Sequence, residues 1–196
     1  MKELLVATQN RGKLTEIASI LKGCVERLYS PSDFPNLPSV FEDGETFEEN
    51  ARKKALCAAL ATGLPALADD SGLVVDVLGG RPGVYSARFA GDGSSDAQNN
   101  EKLLQELSSV PAVKRTAAFH CAVALCFPEG NCRIFRGELK GVLLDRPRGR
   151  GGFGYDPLFV PSGHDKTLAE LDPDIKNVIS HRGKALESLR QYLSRA

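Results

Sequence analysis

The sequence has no excess of charge: Lys plus Arg and Asp plus Glu each number 25 in 196 residues. That balance removes the broad electrostatic footprint of a protein that binds duplex nucleic acid or an anionic membrane. A polyanionic ligand must therefore be met by a local cluster of cations. No apolar run approaches the roughly 18–20 residues of a membrane span, and Met1-Lys2-Glu3-Leu4-Leu5-Val6 turns polar too soon for a secretory signal. A cytoplasmic chain without nucleic-acid or membrane partners is expected. The five cysteines are an odd number without a paired framework, which fits a reducing compartment. Strand alternation over 116–127 puts His120 and Cys126 on one face and Cys121 on the other, and no Cys-x-x-Cys occurs, so structural zinc is not expected. Repeats and low-complexity tracts are absent as well. The length suits one domain over residues 1–196, with room for two lobes.

What is present centres on Ala66 to Leu73, reading Ala-Leu-Ala-Asp-Asp-Ser-Gly-Leu. An apolar strand runs into two carboxylates and a Ser-Gly turn, which places charge where a strand ends. Alternation sends Asp69 and Asp70 to opposite faces, so one is expected to be chemical and the other structural. Carboxylates are the hard ligands magnesium takes and a usual base for activating water. The plain alternative is an Asx-type turn after a buried strand.

Upstream, Glu3 to Thr8 reads as a strand and Gly12 to Lys22 as an amphipathic helix stopped by Gly23. The loop between them, Thr8-Gln9-Asn10-Arg11-Gly12-Lys13, opens a helix N-terminus, where free N–H groups and the dipole attract anions. It is not a Walker A sequence: the first glycine is missing, and Leu14 follows the lysine. Arg11 and Lys13 at a helix start are disfavoured by ~0.3–1 kcal/mol unless an anion is near. A solvated surface pair is the alternative.

A strand over 24–29 and a Pro-rich loop lead to the acidic patch Glu42-Asp43-Gly44-Glu45. Thr46 and Glu49 then make a capping box, and Gly63 and Pro65 stop the helix. Asn50 and Lys54 share a face of it. Beyond the central stretch come a strand over 73–78, a bent loop over 79–88 and a helix over 96–107. Strands over 115–127 and 133–144 form a hairpin around Pro128-Glu129-Gly130-Asn131. In Arg148 to Phe159, glycines allow close backbone approach, and Phe153 and Tyr155 offer ring faces to a purine, or else turn into the core. Thr167-Leu168-Ala169-Glu170 reads as another capping box. Ser180 is expected to cap a terminal helix whose first turn carries His181, Arg182 and Lys184, an arrangement a polar or anionic ligand would explain.

Taken in order, six segments together resemble the inosine/xanthosine triphosphate pyrophosphatases. They are Thr8-x-Asn10-x-x-Lys13, Thr46-Phe47-x-Glu49-Asn50-Ala51-x-x-Lys54-Ala55, Ala68-Asp69-Asp70-Ser71-Gly72-Leu73, Pro82-Gly83-Val84-Tyr85-Ser86-Ala87-Arg88, Gly152-Phe153-Gly154-Tyr155-Asp156-Pro157, and Lys176 with Ser180-His181-Arg182. The resemblance spans the chain and implies an α/β fold: a long mixed β-sheet with flanking helices, in two lobes around a central nucleotide cleft. It also implies magnesium-dependent hydrolysis of non-standard purine nucleoside triphosphates (ITP, dITP, XTP) to monophosphate and pyrophosphate, which keeps such bases out of DNA and RNA, by a homodimer. Thr8, Asn10, Lys13 and Lys54 would hold the triphosphate, with Gln9, Arg11 and Gly12 completing the loop. Glu42 and Asp70 would hold Mg2+, Asp70 would accept the proton, and Ser71 would touch the substrate. Phe153, Gly154, Tyr155, Asp156, Lys176, His181 and Arg182 would form the base and sugar pocket. Gln9 stands where glycine is common and Ile175 where an acidic residue is frequent, so local differences are expected there. A non-catalytic nucleotide sensor and a phosphatase releasing single phosphates are the competing readings.

Overall fold

The computed structural model describes residues 1–195. Its strands are β1 (Glu3–Val6), β2 (Arg27–Tyr29), β3 (Ala66–Val75), β4 (Thr116–Cys126), β5 (Cys132–Leu143) and β6 (Phe159–Pro161), and they lie in one sheet in the order β2-β1-β3-β4-β5-β6. The sheet is mixed, as expected. β1 pairs in parallel with β2 and β3, whereas β5 and β6 are antiparallel. The connection over 127–131 is too short for a crossover, so β4 and β5 form the expected hairpin. The helices are α1 (Arg11–Ile20), α2 (Phe47–Thr62), α3 (Asp96–Glu106), α4 (Pro173–Ile179) and α5 (His181–Leu193).

The chain divides into two compact units. The first comprises Met1–Asp70, Cys121–Gly137 and the stretch from His181, and the second comprises Ser71–His120 and Glu138–Ser180. Strand alternation builds the first unit. Leu4, Val6, Leu67, Val123 and Leu125 face Ile17 of α1 and Ala185, Leu186 and Leu189 of α5. Leu5, Ala66, Ala68, Ala122 and Ala124 face the other way, onto Ala51, Ala55, Ala58 and Ala59 of α2. That second layer is built largely of alanine, which lets the helix lie close to the sheet. The core of the second unit gathers Leu73, Val75, Leu103, Leu107, Phe119, Leu139, Leu158 and Phe159.

Three expectations are corrected, and one residue takes a second role. β3 does not stop at the carboxylates but continues through Asp69, Asp70, Ser71 and Gly72 to Val75, because both acids find partners inside the protein. The Thr167 N–H does donate to Glu170 Oε2, at 2.8 Å, but this closes a turn; the next helix, α4, begins at Pro173 with Asp172 as its cap. Ser180 holds the expected place immediately before α5, with extended backbone, and also closes the C-terminal end of α4, a second role beyond the one expected. Cys126 and Cys132 form a disulfide across the base of the hairpin, so two of the five cysteines are paired.

Candidate active site

In the first unit, β1 ends at Val6 and α1 starts at Arg11, with Asn10 as its cap. Asn10 Oδ1 accepts the Lys13 N–H at 3.0 Å, and Thr8 Oγ1 accepts the Asn10 N–H at 3.2 Å. The loop thereby becomes a tight turn presenting the start of α1. Gln9, Asn10 and Arg11 are exposed, while Gly12 and Lys13 are partly covered.

The two acids continue the two faces of β3. Asp69 lies on the Leu67 side, toward α1 and α5. Its Oδ2 receives Lys13 Nζ at 3.0 Å, and Arg182 Nε and NH2 at 3.1 and 3.0 Å. Arg182 NH1 meets Glu16 at 2.5 Å, closing a chain of two carboxylates and two cations. Burial alone would push the Asp69 carboxyl up, but Lys13, Arg182 and Lys54 outweigh it and hold the group well below the usual carboxylate range. Burial likewise disfavours the charged guanidinium of Arg182, yet Asp69 and Glu16 keep it firmly protonated. Arg182 is 2% exposed and engaged by both acids, so its guanidinium joins Asp69 to Glu16 inside the first unit. The counter-charge that its position in α5 calls for is internal. His181, also buried, begins the same helix in the first unit.

Asp70 lies on the Ala66 and Ala68 side, toward α2. Asn50 Nδ2 donates to its Oδ2 at 3.0 Å, and Lys54 Nζ stands 3.9 Å from its Oδ1. The same ammonium meets Glu42 Oε2 at 2.8 Å. Burial raises the Asp70 carboxyl above its usual value, and Lys54, Lys13 and the Asn50 amide only partly counter it. Glu42 and Asp70 thus converge on one cation. Hard oxygen donors arranged in this way fit magnesium, which takes one or two carboxylates and completes its shell with water and phosphate oxygens. Among the described residues no cluster of three or more His, Cys, Asp or Glu forms an all-protein cage. Ser71 follows on β3, half-buried.

In the second unit the structure brings together Phe153, Gly154, Tyr155, Asp156 and Lys176. Asp156 Oδ2 accepts the Phe153 N–H at 2.9 Å and Lys176 Nζ at 2.6 Å. A Cβ on Gly152, at φ +71°, would collide with that carboxylate. Lys176 Nζ rests 4.7 Å from the centre of the Phe153 ring. Tyr155 corrects an expectation: it belongs to the core, and its hydroxyl donates to the Ser86 carbonyl at 2.9 Å, so only Phe153 is placed to offer a ring face. Two residues of α3 complete the loop. Asp96 Oδ2 accepts the Gly154 N–H at 2.6 Å, and Asn100 Nδ2 donates to the Gly154 carbonyl at 2.9 Å. Sequence reasoning missed both, and also Glu16. The available signal was weak: Asp96 and Asn100 are four apart on one face of a helix.

The sequence profile of the Ham1 family matches residues 4–192, and the chain belongs to that family. A dITP/XTP pyrophosphatase from Geobacter sulfurreducens is 62% identical over 193 residues, covering 98% of this chain and 97% of the relative. One from Desulforamulus reducens is 52% identical, with 98% and 96% covered. Among solved structures, a HAM1 protein from Coxiella burnetii superimposes with a TM-score of 0.90 at 44% identity, each chain covered completely. The Staphylococcus aureus Ham1 protein gives a TM-score of 0.87 at 39% identity, with 98% of each chain covered.

Proposed function

We propose that the chain is a nucleoside-triphosphate pyrophosphohydrolase that removes dITP, XTP and ITP from the nucleotide pool, releasing the monophosphate and pyrophosphate. The observation that carries this reading is the cluster around Asp70: a strand carboxylate of raised pKa, held by an amide and facing a lysine that also meets Glu42. Chain-long identity to dITP/XTP pyrophosphatases supplies the substrate class. The start of α1 and the ammonium groups of Lys13 and Lys54 are suited to the triphosphate, since N-terminal N–H groups and lysine charges both favour phosphate oxygens. Asp70 is the proton acceptor for the attacking water, and its desolvation makes it a better base than an exposed carboxylate. Glu42 and Asp70 would hold magnesium, which when bound neutralises charge on the phosphate oxygens. In the second unit the Phe153 face suits stacking on a purine, and the Lys176 ammonium beside it suits the six-oxo oxygen of hypoxanthine or xanthine. Adenine presents a donor there instead, and such a mismatch can separate substrates by about 10⁴-fold. The family resemblance also carries the reading of a cytoplasmic homodimer.

The test is a product assay over ITP, dITP, XTP, GTP and ATP that resolves pyrophosphate from phosphate, with and without chelator, on the wild type and Asp70→Asn. Pyrophosphate from ITP and XTP, far slower turnover of ATP, arrest by chelator with recovery on adding Mg2+, and loss of more than about 90% of the rate in Asp70→Asn are expected. That loss corresponds to about 1.4 kcal/mol of barrier or more. Release of single phosphates, or comparable kcat/KM for ATP and ITP, would refute the proposal.

A further inference from the structure

The acidic segment ahead of α2 is folded back along that helix and tied to it residue by residue. Lys54 Nζ meets Glu42 at 2.8 Å, and Lys53 Nζ meets Asp43 at 2.6 Å. Asn50 Oδ1 accepts the Gly44 N–H at 2.8 Å, and Glu49 Oε2 accepts the N–H groups of Glu45 and Thr46 at 2.8 and 3.2 Å. The Asn50 tie differs from the rest: its side chain is buried, 1% exposed, and its other end donates to Asp70 Oδ2. The orientation of the amide follows from chemistry. A backbone N–H can only donate, so the atom facing Gly44 is the oxygen and the nitrogen is left for Asp70. Gly44 leaves room for this arrangement, because a Cβ there would sit 2.7 Å from Asn50 Oδ1.

We propose that Asn50 is a positioning residue for the reaction, fixing the loop that carries Glu42 against the strand that carries Asp70. The inference rests on the reading of those two carboxylates as the magnesium-binding and proton-accepting groups. A single planar amide spans both elements, so the two carboxylates keep one spacing. Its bond to Oδ2 turns Oδ1 toward Lys54 and Glu42. Being neutral, the amide holds Asp70 without cancelling the charge that a divalent cation needs. A lysine or arginine in its place would compete with that cation, and an aspartate would lack the donor.

Asn50→Ala removes the tie, and Gly44→Ala disturbs it from the loop side, its Cβ pressing on the Asn50 amide while Asn50 and Asp70 themselves stay unsubstituted. Lys53→Ala, which breaks an exposed tie, is the control. Readouts are kcat and KM for ITP, the Mg2+ concentration for half-maximal rate, the thermal midpoint, and Mn2+ binding by calorimetry without nucleotide. Asn50→Ala is expected to lose about 10–100-fold in kcat and in Mn2+ affinity, the usual range for a group that orients a metal ligand, with KM for ITP within about threefold. Gly44→Ala should show the same pattern to a smaller extent, and Lys53→Ala should match the wild type. Unchanged kcat and Mn2+ affinity in both variants, with only the thermal midpoint lowered, would overturn the proposal. Because Mn2+ binding is read without substrate, its loss supports the positioning role even where wild-type protein fails to turn over triphosphates, which would refute the proposed activity instead.

Discussion

Replacing Arg182 with methionine removes a guanidinium that meets Asp69 at 3.0 and 3.1 Å and Glu16 at 2.5 Å, while the thioether fills much of the space of the arginine stem. The balanced set of Asp69, Glu16, Lys13 and Arg182 then holds two acids and one cation, and that cation, Lys13, contacts Asp69. Asp69 has no exposed side-chain surface from which water could compensate. Breaking a buried ion pair from one side costs about 3–5 kcal/mol, a large part of the roughly 5–15 kcal/mol that stabilises a typical domain. With a urea dependence of about 2 kcal/mol per molar, the unfolding midpoint should fall by about 1.5–2.5 M. Arg182→Lys, which keeps the charge but not the planar fork, should fall between. The double variant Asp69→Asn with Arg182→Met should lose less than the sum of the single changes, because the second change no longer strands a charge. Equilibrium urea unfolding followed by circular dichroism measures the wild type and these variants, with Asp69→Asn alone to complete the sum. A loss under about 1 kcal/mol for Arg182→Met would show that the arginine does not brace the unit as argued.

The remaining predictions concern phosphate and alkaline pH. Lys54→Ala should weaken competitive inhibition by a non-hydrolysable inosine triphosphate analogue about tenfold or more while barely changing that by inosine, since an ammonium acts on phosphate as a point charge; equal losses would contradict its placement. Burial pushes the Cys121 thiol up to about 12 from an ordinary value of 9.0. Its folded value lies above its unfolded one, so its contribution to stability is complete below pH 9.0 and declines toward pH 12 at up to about 1.4 kcal/mol per unit. Cys121→Ala should flatten that stretch of the stability profile, and an unchanged slope would count against the shift.

What was legible in the sequence was local or periodic. The capping box at Thr46 and Glu49 and the left-handed Gly63 at φ +69° delimit α2 as expected, because caps are decided within a few residues. Alternation alone sends Asp69 and Asp70 to opposite faces of β3. What was not legible depended on partners distant in the chain. The continuation of β3 rests on residues as far away as Lys13 and Arg182. The cations in the first turns of α1 and α5 call for a polar or anionic partner, and for Lys13 and Arg182 Asp69 is one, supplied from within the first unit. Tyr155 turned inward because the Ser86 carbonyl, remote in sequence, accepts its hydroxyl. Two further features carry local signals in the sequence. Pro173 after Asp172 is a standard helix start. Cys126 and Cys132 flank the hairpin turn at positions close enough to pair, with Cα atoms 4.1 Å apart.

The unlike fates of two adjacent aspartates follow from the strand that carries them. Both are largely withdrawn from water, Asp69 the more completely, so desolvation pushes upward on both, and the faces they meet decide the net direction. On the α1 and α5 side, two cations contact a single oxygen of Asp69, which therefore stays ionised and locked, a poor acceptor for any proton. On the α2 side, Asp70 receives a neutral amide and one lysine at 3.9 Å, so desolvation prevails and basicity is retained. Environments that push two like groups apart in this way identify which of them can exchange protons. The ranking also fixes an order of consequences. Asp69→Asn should act first on stability, through the cations it strands, whereas Asp70→Asn should act first on turnover. If Asp69→Asn instead abolished activity with its urea midpoint intact, the division of labour along β3 would be the reverse of the one argued from its contacts.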